Sequence, residues 1–207
     1  MDLKTTTRPR RSVAAFHVLR SLLRQPPGGH PLEILNVGPG LAVKYLGRLS
    51  AEAVPGWDFF RRIEAGVRRV PMPDGFFESY ETGELLTALA GLPVRLTVTD
   101  INPRVVRVVA KSLPGAAIET VVADLGVRRS SDLVPLYGRF DAVVAMSVLG
   151  RVAGDVSNAR DNLCALVRPG GILIGSGDLE TASCLPLPRH RGFYRKAGAW
   201  PSGHAGQ

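Results

Sequence analysis

Between residues 94 and 175 the chain alternates short apolar runs with stretches of helical periodicity. Residues 94–99, 118–122, 140–145 and 172–175 are rich in β-branched side chains and bounded by charged or turn-forming residues, which predicts strands. Residues 103–112 and 155–167 repeat their apolar positions at helical spacing. The first carries Pro103 in its opening turn, and the second is stopped by Arg168-Pro169-Gly170-Gly171. Upstream, Val13, Phe16, Leu19, Leu22 and Leu23 predict an amphipathic helix over 12–24, ended by a Pro/Gly-rich loop. Residues 33–37 predict a buried strand, followed by the turn Gly38-Pro39-Gly40 and a helix over 41–53. A further helix is expected over 78–90, with Leu85, Leu86 and Leu89 on its apolar face and Gly91 as its stop. Strands separated by helices at this spacing predict a mostly parallel sheet covered on both faces. One domain is expected over 1–207, with an N-terminal helix and loop (1–30), an extra segment (54–90) and a loop-rich tail (180–207), in which 189–196 supplies an edge strand.

Composition narrows this reading only a little. The 207 residues suffice for one buried core, and 45% hydrophobic with 21% charged residues excludes a disordered chain. No run approaches the roughly 18 apolar residues of a membrane span, so no membrane contact is expected and the cytoplasm, a reducing compartment, is the default location. The net charge of +8 comes mainly from arginine, with pairs at Arg10-Arg11, Arg61-Arg62, Arg68-Arg69 and Arg128-Arg129. An anionic partner such as nucleic acid is one reading. The pairs are scattered, however, and no aromatic-interleaved basic run offers a stacking platform, so a solvated basic surface is the simpler reading. Cys164 and Cys184 make no disulfide framework, and Cys164 reads as a small core residue. No His/Cys cluster has metal spacing. The basic N-terminus reads as a packing helix because of its apolar period, with a targeting segment as the alternative. Five of the chain's few aromatics, Trp57, Phe59, Phe60, Phe76 and Phe77, gather in the extra segment as a lid over an acceptor or as packing onto the sheet.

In a doubly wound sheet, ligands bind beyond the carboxyl ends of the strands. Those ends carry Gly38-Pro39-Gly40, Asp100, Asp124, Ala145-Met146-Ser147 and Ser176-Gly177-Asp178. Glycines let the backbone approach a ligand, and an acid after the second strand can accept both hydroxyls of a ribose. Asp100 fits that role. Asp124 stands where an acid can accept from an adenine amine, with Ile101 and Leu125 as apolar walls. Each acid alone is equally well a helix cap or a loop residue.

With these residues in this order, the sequence resembles the class I S-adenosylmethionine-dependent methyltransferases over residues 33–177. The likeness rests on Asn36-Val37-Gly38-Pro39-Gly40, on Thr99-Asp100-Ile101-Asn102-Pro103, and on Val122-Ala123-Asp124-Leu125. Its most specific parts are Arg139-Phe140-Asp141-Ala142-Val143-Val144-Ala145 and the later Leu166-Val167-Arg168-Pro169-Gly170-Gly171-Ile172. The resemblance implies a Rossmann-like sheet, shortened here at its C-terminal edge, and S-adenosylmethionine as cofactor. It implies Asn36, Gly38, Gly40, Asp100, Ile101, Asp124, Leu125 and Ala145 as cofactor-binding residues, with no metal. The expected activity is methyl transfer to a small molecule, with nucleic acid or protein as the other acceptors.

Three departures stand out. Asn36 occupies the place of the family's usual acid. Sixty positions separate Gly40 from Asp100, where about 20 are typical. A second glycine pattern, Tyr80-Glu81-Thr82-Gly83-Glu84, lies between them, and it is set aside because no strand precedes it. After the fourth main strand, Ala145-Met146-Ser147-Val148 replaces the tetrapeptide of amino-directed nucleic-acid methyltransferases, and no histidine follows. Tyr80, Glu81 and Ser147 are the catalytic candidates, with His17 a further residue near an acceptor; each also has a structural explanation. A catalytically silent cofactor-binding or scaffold module is the alternative. A nicotinamide-dependent oxidoreductase is disfavoured because Val43 stands where its third glycine belongs.

Overall fold

The computed structural model describes residues 4–24, 29–43, 77–113, 116–146, 148–152, 154–176 and 179–198. The expected buried strand is β1 (Leu32–Val37), and it lies near the middle of a seven-stranded sheet. Its neighbours are β4 (Val94–Asp100) and β6 (Phe140–Ala145), both parallel to it. β5 (Ile118–Val122) extends one side and β7 (Val167–Gly175) the other. Two short antiparallel strands complete that side, giving the order β5-β4-β1-β6-β7-β9-β8. β9 is Phe193–Lys196, where an edge strand was expected, and β8 (Cys184–Pro186) is a second one that the proline-rich sequence does not signal. That edge is therefore complete in strands, though they are only three and four residues long.

Alternation along the strands divides the core in two. Leu32, Ile34, Leu96, Val98, Ala142, Val144, Ile172 and Ile174 face one side, and Leu35, Val37, Val143, Ala145 and Leu173 face the other. The first side is covered by α1 (Lys4–Leu22), α2 (Tyr80–Ala88) and α3 (Pro103–Ser112), and the second by α4 (Val156–Leu166) and the short turn at Val134–Leu136. α1 starts eight residues before the predicted 12–24, because its first turns are polar and carry no apolar period. Its Phe16 and Leu19 are fully buried. Arg20 reaches across to donate to the carbonyls of Ala88 (2.8 Å) and Ala90 (2.6 Å), satisfying acceptors at the end of α2. α3 and α4 begin as their sequences predict. Asn102 accepts from the amide of Arg104 and Asp155 from that of Ser157.

Three expectations are corrected. Residues 41–53 do not open as a helix: Ala42–Val43 form β2, paired antiparallel with β3 (Phe77–Glu78), and 44–53 lie outside the described residues, as do Trp57, Phe59, Phe60 and Phe76. Arg168-Pro169-Gly170-Gly171 is not a loop but an irregularity inside β7. Phe140 pairs with Val167 and Ala142 with Ile172, so the extra residues bulge out of the ladder at a proline that lacks an N–H. Cys164 and Cys184 are joined in a disulfide, with Cα atoms 6.0 Å apart. Twenty residues separate them in sequence, and the β8–β9 hairpin folds the second back onto α4. Closing a loop of that length restricts the unfolded chain and stabilises the fold by about 3 kcal/mol. Among the described residues, no helix is long and apolar enough to cross a membrane.

Candidate functional site

The carboxyl ends of the central strands bring together most of the residues singled out from sequence. Gly38 and Gly40 take φ of +57° and +66°, the left-handed region that favours glycine. The Gly38 amide donates to Thr99 O (2.8 Å), tying the turn to the end of β4. A Cβ on Gly38 would stand 3.1 Å from Val148, which follows β6, whereas a Cβ on Gly40 would meet none of the described residues within 4 Å. Among the described residues, the turn is therefore packed at Gly38 and uncovered at Gly40.

Asp100 is half-buried, and its Oδ1 accepts from the Asn102 amide (2.8 Å), which orients the carboxylate and leads into α3. Asp124 does the same after β5, accepting from the Gly126 amide (2.8 Å). The Ala123 amide donates to Asp100 O (3.2 Å), so the two acids sit on strand ends that are bonded to each other. Ile101 is 57% exposed beside Asp100, as a wall for a flat ring requires. Leu125 is buried and belongs to the core on the α4 side. Ala145, fully buried, ends β6. The Ser176 hydroxyl donates to Met146 O, joining the ends of β6 and β7. Ser147 lies outside the described residues, and so does the side chain of Tyr80. His17 lines a cleft of about 340 Å³ with Ser79, Glu84 and Thr87 that does not include Gly38, Asp100 or Asp124.

Asn36 is fully buried, on the face that carries α2. Its Nδ2 donates to Thr82 Oγ1 (3.4 Å), and Thr82 Oγ1 lies 3.0 Å from the hydroxyl of Ser79, the N-cap of α2. The N-terminus of α2 is thus docked on the end of β1. Sequence spacing put this helix inside the extra segment and set aside Tyr80-Glu81-Thr82-Gly83-Glu84. The structure places it in the core, with Leu85, Ala88 and Leu89 buried. The ladder of β2 and β3 explains why: it pins the chain at 42–43 against 77–78, and α2 begins at Tyr80, two residues beyond the ladder. The two glycine patterns are not rivals but two parts of one interrupted connection. The available signal was the capping pattern Ser79-x-x-Thr82 ahead of a periodic apolar run.

Glu81, in the first turn of α2, is the most perturbed group at the site. Burial, with the charge of Glu84 added, raises its carboxyl to about 8. Its Oε1 and Asn36 Oδ1 are buried and have no hydrogen-bond partner among the described residues. Among those residues no group of His, Cys, Asp and Glu is arranged to hold a metal.

Residues 80–175 match a family model described as a methyltransferase domain, and the match begins at the first residue of α2. No curated protein matches the sequence. Among solved structures, the CurJ carbon methyltransferase superposes with a TM-score of 0.53 at 16% identity, over 79% of this chain and 34% of its own. That is a likeness of fold, and this chain spans about a third of that structure's length. The trans-methyltransferase CalH in complex with SAH gives 0.47 at 16% identity, over 81% and 38% of the two chains. The Burkholderia thailandensis 1,6-didemethyltoxoflavin-N1-methyltransferase, with 1,6-didemethyltoxoflavin and S-adenosylhomocysteine bound, gives 0.43 at 17% identity, over 90% and 61%.

Proposed function

We propose that this chain, whose residues 80–175 match a methyltransferase domain, is a class I S-adenosylmethionine-dependent enzyme that transfers a methyl group from S-adenosylmethionine to a small-molecule acceptor. The observation that carries this reading is the pair of buried acceptors, Asn36 Oδ1 and Glu81 Oε1, that find no donor among the described residues, one on the strand before the glycine turn and one on the helix docked onto that strand. Buried polar atoms are left unpaired only at a cost of about 1–3 kcal/mol each, so a site that keeps them there is a site that receives donors. The cofactor brings them, and the residues fit it: Gly38 and Gly40 allow close approach, Asp100 accepts from the ribose, Asp124 from the base, and Ile101 covers the ring.

When bound, the cofactor supplies a sulfonium methyl. That methyl group would pass to a nucleophilic atom of the acceptor, with the electron pair of the broken carbon–sulfur bond staying on sulfur. The chain's own part is to align that nucleophile with the methyl group and keep water away. The small-molecule acceptor is supported by Ala145-Met146-Ser147-Val148 in place of the nucleic-acid tetrapeptide and by the scatter of the arginines.

Titration calorimetry with S-adenosylmethionine and S-adenosylhomocysteine tests this reading directly, and binding of neither overturns it. Asp100→Ala is expected to weaken S-adenosylhomocysteine by about 10- to 100-fold, the worth of hydrogen bonds to a charged group. Asp100→Asn keeps an acceptor for the Asn102 amide and is expected to lose less. An unchanged affinity in Asp100→Ala refutes the ribose assignment.

A further inference from the structure

Asn36 Oδ1 and Glu81 Oε1 are both buried, and among the described residues neither has a hydrogen-bond partner. The Asn36 nitrogen is committed to Thr82, and Glu81 is the residue before Thr82 in the first turn of α2. A neutral oxygen and a carboxylate oxygen, both buried and both without donors among the described residues, call for a ligand that brings several N–H groups, and the carboxylate calls for a cationic one. Resting on the cofactor reading above, we infer that Glu81 receives the α-ammonium of the cofactor's methionyl end, with Asn36 Oδ1 as second acceptor. The negative charge that position 36 lacks is supplied from α2, on the far side of the inserted stretch.

The surroundings of Glu81 leave this role open. On α2 its charged neighbour is Glu84, which repels a second negative charge. From α1, His17 stands with Glu84 in the neighbouring cleft, and Arg20 is engaged with the carbonyls of Ala88 and Ala90 at the opposite end of the helix. β1 contributes the neutral Asn36, and β4 ends in another acid, Asp100. The carboxyl, raised to about 8, is mostly protonated at pH 7 before a ligand arrives. An arriving ammonium displaces that proton, so binding and proton release are coupled.

Calorimetry separates this role from a structural one when two ligands are compared. S-adenosylhomocysteine has the amino-acid end; 5′-methylthioadenosine keeps the nucleoside and thioether and lacks it. In the wild-type protein, S-adenosylhomocysteine binding is expected to release close to one proton at pH 7, read from heats in buffers of different ionisation enthalpy, and to tighten from pH 6 to pH 8. Glu81→Gln is expected to abolish the release, flatten the pH profile and weaken S-adenosylhomocysteine by about 10- to 100-fold, while 5′-methylthioadenosine stays within about twofold. Equal losses for both ligands, or an unchanged S-adenosylhomocysteine affinity in Glu81→Gln, overturn the assignment. Binding of neither ligand by the wild-type protein overturns the cofactor reading itself and this inference with it.

Discussion

Asp141→Ala is expected to destabilise the protein by about 3–5 kcal/mol, because it breaks an ion pair from its buried side and takes the acceptor from the Glu33 amide. Asp141 is 1% exposed at the start of β6. One of its oxygens accepts from the Glu33 amide of β1 (2.8 Å), and the other pairs with the Arg168 guanidinium at the start of β7. Burial raises the Asp141 carboxyl, and the Glu33 amide and Arg168 pull it back down; burial is the larger influence. The pair is therefore no net gain over a well-packed apolar contact, but breaking it from one side is costly, since Arg168 keeps its charge with its side chain only 17% exposed. Urea unfolding checks this: the midpoint should fall with little change in slope. Asp141→Ala/Arg168→Ala should cost clearly less than the two single losses added together, and simple additivity would refute the coupling.

The second large effect has the opposite sign. Glu81→Gln is expected to stabilise the ligand-free protein, by up to about 5 kcal/mol above pH 8 and by almost nothing near pH 4. The folded carboxyl sits near 8 against an ordinary 4.5. Between those values the unfolded chain has released the proton that the folded chain retains, so wild-type stability falls as pH rises through this window and levels off above it. Glutamine cannot ionise, and its curve should lack that fall. Thermal unfolding at intervals from pH 4 to pH 9 reads the difference; parallel curves would show that Glu81 ionises freely. The same substitution thus strengthens the fold and weakens the ligand, the pattern expected where binding requires a strained, desolvated group.

Most of the framework was readable from pattern. Strands β4 and β6, the later half of β7 and helices α3 and α4 follow their apolar periods because each buries a face that the sequence marks without interruption. The N-caps Asn102 and Asp155 mark the starts of those helices in the sequence. Elsewhere the period was absent or misleading. The first turns of α1 are polar, β8 is too short for alternation to register, and β7 begins within a Pro-Gly-Gly stretch that reads as a turn. The positions of Gly38, Gly40, Asp100 and Asp124 at strand ends were legible because a strand and the residues that end it are local in sequence. α2's place was not, because it depends on the two-residue ladder of β2 and β3, which pairs positions 42–43 with 77–78 and has no periodic signal.

That ladder has a kinetic consequence. In an uninterrupted strand–turn–helix unit, the strand end and the first helical turn are a handful of residues apart, and their contact forms early. Here Asn36 and Thr82 are 46 residues apart, so the contact that builds the ligand floor is long-range. Closing the longer loop adds about 2 kcal/mol of chain entropy to that step. The β4–β5 and β6–β7 pairs join nearer partners, whereas the docking of α2 onto β1, like the pairing of β1 with β4 and β6, closes a long stretch of chain. The ligand floor thereby belongs, with the centre of the sheet, to the part of the fold that rests on distant contacts.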